Sequence, residues 1–161
     1  MTTTDPHAAT RTELLGQLWL STRLTRACVE TADPVRDTGT DLIAYDRDLT
    51  WFLPVQLKVL NTSGFRTEAK YLGRRLALIY VILGLPDGGP ADRAATEGYL
   101  LTPEEAWGLP TELGRKWDPA DHSFYGFGGL PSALLDRLSQ YRLSVGPALA
   151  RQLSDAAARR Q

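Results

Sequence analysis

Asp41 stands one hairpin's length ahead of the triplet Gln56-Leu57-Lys58. A fold that brought those three polar side chains together would suit divalent-metal phosphoryl chemistry. Carboxylate and amide oxygens hold Mg²⁺ or Mn²⁺, hard ions that favour carboxylate, carbonyl and water ligands. Such an ion lowers the pKa of a bound water and neutralises charge on a phosphate. The Lys58 ammonium would orient or activate the attacking water and stabilise negative charge as the transition state develops. A single carboxylate is a weak seat for Mg²⁺, so a second acid is expected. Glu13 is the candidate, and Asp37, just ahead of the hairpin, competes for that place.

Positioning these groups falls to a β-hairpin. Leu42 to Tyr45 and Trp51 to Leu60 are β-rich runs separated by Asp46-Arg47-Asp48. Pairing Asp46 with Trp51 sets Asp41 across from Gln56. Directly opposed residues of an antiparallel pair share a face, with Cβ atoms ~5 Å apart, and alternation adds Lys58 to it. The same register turns Val55, Leu57 and Val59 to the other face, the apolar side that a covering helix needs. Two plainer roles compete: Asp41 as a cap on the turn after Gly39, and Lys58 as a charge that protects an edge strand from aggregation.

The rest of the chain reads as one α/β domain. Leu14, Leu15, Leu18 and Trp19 form the apolar face of an amphipathic helix from about Thr12 to Arg23. Ala27, Val29 and Thr31 alternate as a short strand before Pro34. Ser63 to Arg75 stays open between a short strand at Phe65 and a helix through Lys70. Leu76 to Leu83 reads as a buried strand and Glu97 to Leu101 as a further one. Thr102-Pro103-Glu104-Glu105 has the chemistry of a helix start, with Thr102 as cap and carboxylates near the positive dipole end. Trp117 to Gly129 shows no clear period. Leu134, Leu135, Leu138 and Tyr141 mark another helix, and a last one runs from Pro147 and frays over Ala156 to Gln161. The expected layout is a flexible leader over 1–11, the α/β domain over 12–145 and a helical tail over 146–161.

Composition limits the partners. With 18 basic and 19 acidic residues among 161, bulk charge cannot drive polyanion binding, so a nucleic acid must meet a local basic patch. Cys28 is the sole cysteine, which excludes a disulfide framework and fits a reducing cytoplasm. The start of the chain lacks a basic segment followed by an apolar stretch, and Leu76 to Leu83 is far shorter than the ~20 residues of a membrane span. No membrane association is expected, and a homodimer stays open.

The residues resemble the PD-(D/E)XK nuclease superfamily, the restriction-endonuclease-like fold, in a Gln-x-Lys variant. The resemblance lies in Glu13 on an opening helix, Gly39-Thr40-Asp41-Leu42-Ile43, and Val55-Gln56-Leu57-Lys58-Val59. It covers Thr12 to Leu60 well, Phe65 to Leu83 loosely, and nothing beyond Gly84. It implies an αβββαβ core around a mixed sheet, Mg²⁺-dependent phosphodiester hydrolysis, and DNA as substrate. Matched one by one, Asp41 resembles the central metal-binding aspartate, Lys58 the motif lysine and Glu13 the helix glutamate of some members. Thr40 stands where the motif has proline. Gln56 stands where the second acid belongs, and its neutral amide oxygen binds Mg²⁺ more weakly.

Arg66, Lys70 and Arg74 recur every four residues with Arg75 adjacent, so a helix here would carry a basic stripe for DNA phosphates. A solvated face explains the same spacing. His7 and His122 lack partners at triad or zinc spacing, and Gly126-Phe127-Gly128-Gly129 lacks the lysine of a phosphate loop. The expectation is therefore a Mg²⁺- or Mn²⁺-dependent DNA endonuclease with Asp41, Gln56, Lys58 and Glu13 at its site. The alternatives are a catalytically silent module of the same fold that binds nucleic acid or protein, and an unrelated α/β interaction domain.

Overall fold

The computed structural model describes residues 8–36, 39–60, 64–84, 96–116 and 124–160. Helix α1 (Ala8–Arg26) leads into β1 (Val29–Ala32), β2 (Leu42–Asp46) and β3 (Phe52–Leu60), which form an antiparallel meander. The chain then crosses through β4 (Phe65–Glu68) and a 3₁₀ turn (Ala69–Tyr71) and returns as β5 (Ala77–Ile82), parallel to β3. Strand β6 (Glu97–Leu101) closes the five-stranded sheet, whose order is β1-β2-β3-β5-β6. Helix α2 (Pro103–Glu112), strand β7 (Phe124–Phe127), helix α3 (Ser132–Leu138) and helix α4 (Pro147–Ala158) complete the chain. Strand β7 pairs antiparallel with β4 as a separate two-stranded sheet.

Each face of the large sheet is covered, which gives two cores. Ala77, Ile79 and Val81 of β5 pack with Leu20 and Leu24 of α1 and with Leu149 and Leu153 of α4. On the reverse face, Leu78 and Tyr80 meet Phe65, Tyr71, Leu109 of α2 and Leu134 of α3. A strand covered on both sides reads as an unbroken apolar run, as Leu76 to Leu83 does. Helix α2 starts as its sequence predicts. The Thr102 side chain accepts from the Glu105 backbone N–H at 3.0 Å, and Glu105 accepts from the Thr102 N–H at 2.7 Å, a reciprocal capping box.

Four expectations change. The opening helix begins at Ala8, ahead of Thr12, and presents a different face. Leu14 is 53% exposed and Leu15 and Leu18 are each 56% exposed, while Gly16, Leu20, Leu24 and Ala27 face inward. Gly16 decides this, because a Cβ there would lie 2.3 Å from Val59 Cγ2. The bare backbone lets α1 approach the sheet at that point, and Leu20 and Leu24, one and two turns on, follow it into the core. Periodicity weighs large apolar side chains and so favours the opposite face.

The second change concerns the crossover between β3 and β5. Where the resemblance implies a helix, β4 and the 3₁₀ turn stand, so Arg66, Lys70, Arg74 and Arg75 form no helical stripe. Arg66 is exposed on β4, Lys70 lies in the 3₁₀ turn, and Arg74 and Arg75 are exposed just after it. Third, the aperiodic stretch before Gly129 contains strand β7, which pairing with β4 creates. Fourth, Ala156 and Ala157 are buried in the first core, so α4 is part of the domain rather than a fraying tail. Among the described residues no helix is long and apolar enough to cross a membrane.

Candidate active site

The β2–β3 register pairs Leu42 with Val55 and Ala44 with Leu53, as the hairpin reading predicts. The ladder continues one residue further through Asp41 N–H to Val55 O at 2.8 Å. Asp41 and Gln56 therefore meet. Asp41 Oδ2 accepts from Gln56 Nε2 at 2.5 Å and from the Leu57 backbone N–H at 2.7 Å. The carboxylate thus supplies the acceptor for a β3 amide just where β2 has run out. Gln56 Nε2 also donates to Leu57 O at 3.3 Å. Two acceptors fix the amide with nitrogen toward Asp41 and oxygen away. Gln56 is only 8% exposed.

Lys58 lies one pleat further along the same face of β3. Val55 and Leu57 join the first core on the other face, with Val59 packed against it. The Lys58 Nζ meets Glu68 Oε1 at 2.5 Å, and Lys70 Nζ meets Glu68 Oε2 at 2.7 Å. Both ammoniums sit over the buried Tyr71 ring, 5.0 and 4.9 Å from its centroid. The Lys58 and Glu68 side chains are 22% and 25% exposed, so this ion pair is partly shielded from water. Burial pushes the Glu68 carboxyl up, but hydrogen bonds and charge from Lys58 and Lys70 outweigh it and hold the group below its ordinary value. Glu68 in turn raises Lys70 above the usual lysine value.

Gly39 closes the row. Its φ is +80°, a conformation that favours glycine. A Cβ there would lie 3.3 Å from Tyr71 Cε1, 3.4 Å from Arg74 Nη1 and 3.8 Å from Gln56 Oε1. Arg74 thus reaches the site from a turn that the sequence offers only as part of a basic spacing. The structure brings together Asp41, Gln56 and Lys58, and adds Glu68, Tyr71 and Arg74. Glu13 is exposed on α1, whose packed face meets the other side of β3. Asp37 lies outside the described residues. Among the described residues no three of Asp, Glu, His and Cys gather closely enough to hold a metal.

Glu68 is the functional candidate that sequence reasoning missed. In the sequence it is simply an acid between Arg66 and Lys70, because its link to Lys58 depends on how β4 folds back beside β3. The Glu68-Ala69-Lys70 spacing is the one available hint. For a divalent ion the row offers the Asp41 carboxylate and, if the amide turns over, Gln56 Oε1. That donor set suits a Mg²⁺ that keeps several waters and shares its remaining positions with a substrate phosphate. Comparisons with protein-family models, with curated proteins and with solved structures find no match to this chain.

Proposed function

We propose that this chain is a Mg²⁺- or Mn²⁺-dependent nuclease of the PD-(D/E)XK kind, in a Gln-x-Lys form, that hydrolyses phosphodiester bonds in DNA. The observation that carries the reading is the contact of Asp41 with Gln56 at the end of β2–β3, with Lys58 next on the same face. An opening helix, three antiparallel strands and a return strand parallel to β3 support the restriction-endonuclease-like core, with β4 and a 3₁₀ turn in place of the crossover helix.

Asp41 and Gln56 would hold the metal, which when bound supplies charge neutralisation on the phosphate and a water of lowered pKa. Asp41 is fixed in place through the Leu57 N–H. Lys58 gives one of its three N–H bonds to Glu68 and keeps donors for a phosphate oxygen or the attacking water. Glu68 and the Tyr71 ring hold that ammonium in place, which removes reorganisation from the reacting step. Glu13, exposed on the helix that packs against the opposite side of β3, has no part in this reading.

Plasmid DNA incubated with the protein and Mg²⁺ or Mn²⁺ tests this. Nicking by the wild type is expected, and Asp41→Ala and Lys58→Ala should each abolish it. Wild-type protein that is inert with both metals overturns the reading. A second reading, a catalytically silent DNA-binding module, has its own support: the Gln56 amide N–H already occupies the Asp41 oxygen, and Lys58 is already paired. Salt-dependent DNA binding without nicking would favour it.

A further inference from the structure

Beside the row lies a cavity of about 610 Å³. Register places it at the same end of the sheet, because Gln56 pairs with Leu78 and Leu78 with Leu101, and Ala77 and Leu101 line it. Arg74 and Arg75 form one wall, and Arg159 and Arg160, at the end of α4, form another. Arg74 belongs to both places, since its Nη1 also lies against Gly39 beside Gln56.

Two carboxylates line the cavity as well, and each is engaged by backbone. Glu104 Oε1 accepts from the Gly73 N–H at 3.0 Å, and Glu105 accepts from the Thr102 N–H in the capping box. Glu104 thereby ties the arginine turn, which bends at Gly73 with φ +72°, to the start of α2. No carboxylate of a described residue lies within ion-pair distance of Arg159 or Arg160. Arg160 is half-buried, and burial lowers its pKa from the ordinary arginine value against the pull of Glu104 and Glu105. A partly desolvated guanidinium without a paired carboxylate favours an anionic ligand.

We infer that this cavity receives a backbone phosphate of the DNA strand next to the one at Asp41, held by Arg159 and Arg160 together with Arg74 and Arg75. The inference rests on the nuclease reading for its substrate and adds α4 to the binding surface. With the chain's charge near neutral, DNA binding would depend on a local patch of this kind.

Anisotropy of a labelled DNA duplex, titrated with full-length protein in EDTA across a range of NaCl, measures the contact apart from cleavage. Arg159→Ala with Arg160→Ala should weaken binding about tenfold and flatten the salt slope by about 0.9 for each lost phosphate contact. Arg159→Lys with Arg160→Lys should restore most of the slope. Arg151→Ala, an exposed position on the same helix outside the cavity, should change neither. Thermal melting checks that each variant folds. A double alanine variant that binds like wild type overturns the inference, as does an equal loss with Arg151→Ala, which would mean a response to net charge alone. Wild type that fails to nick DNA while the double variant still loses its slope removes the nuclease reading and leaves the cavity as a DNA contact.

Discussion

Two polar clusters share one face of β3 and are built in different ways. Asp41 and Gln56 are partners within a single hairpin, and the same carboxylate caps a backbone amide of the strand. Lys58, Glu68 and Lys70 come together only because β4 and the 3₁₀ turn fold back over the sheet. The first cluster is short-range and tied to the ladder, with Gln56 buried and Asp41 exposed at the end of the hairpin. The second joins side chains from separate elements through ion pairs that are partly open to water, which screens part of their energy. The difference separates a cluster fixed by local strand pairing from one that only tertiary folding assembles.

The largest effect is expected at Asp41. Asp41→Ala removes the acceptor of two hydrogen bonds and should cost about 1–3 kcal/mol in urea unfolding along with all nicking. Asp41→Asn keeps an oxygen for the Leu57 N–H, so it should fold nearly as well as wild type and still fail to nick. Full nicking by Asp41→Asn would break the assignment of the hairpin cluster to metal binding. Gln56→Glu comes next. It sets two carboxylates in contact, so without metal it should lower the melting temperature by roughly 2–4 °C for each kcal/mol of repulsion. Added Mg²⁺ should recover more melting temperature in this variant than in wild type, and an equal Mg²⁺ response in both proteins would count against Gln56 as a ligand.

The second cluster should respond more gently, and through pH. The folded-state pKa of Glu68 lies below its ordinary 4.5, so its contribution to stability is complete above that value and is lost as pH falls through the lowered one. Glu68→Gln should flatten that acid limb in urea unfolding and lower stability at neutral pH by up to about 1 kcal/mol. An unchanged limb would mean that the ion pair does not form in solution. The smallest effect is expected at Lys70, whose side chain is 55% exposed. Lys70→Ala should shift stability by less than about 0.5 kcal/mol and leave most nicking intact, in contrast with Lys58→Ala, although both lysines hold the same carboxylate. Equal losses of nicking at the two positions would erase the distinction between them.

The hairpin register, the apolar row of Val55, Leu57 and Val59, the buried strand β5 and the capped start of α2 were all readable in the residues. Each depends on period-two alternation or on a cap a few positions away. The orientation of α1 was not readable, because Gly16 steers it and carries no side chain for a periodicity to register. Strand β7 was hidden for a related reason: it becomes a strand by pairing with β4, more than fifty residues earlier.

Sequence alone determined that Asp41, Gln56 and Lys58 would share one face, because alternation and a short loop leave two adjacent strands little choice of register. Tertiary structure alone decided what surrounds them. It placed Glu68 on Lys58, set Arg74 beside Gln56, and carried Arg159 and Arg160 from α4 to the same end of the sheet. Those contacts join residues far apart in the chain, and burial of the two cores rather than any local spacing brings them within reach.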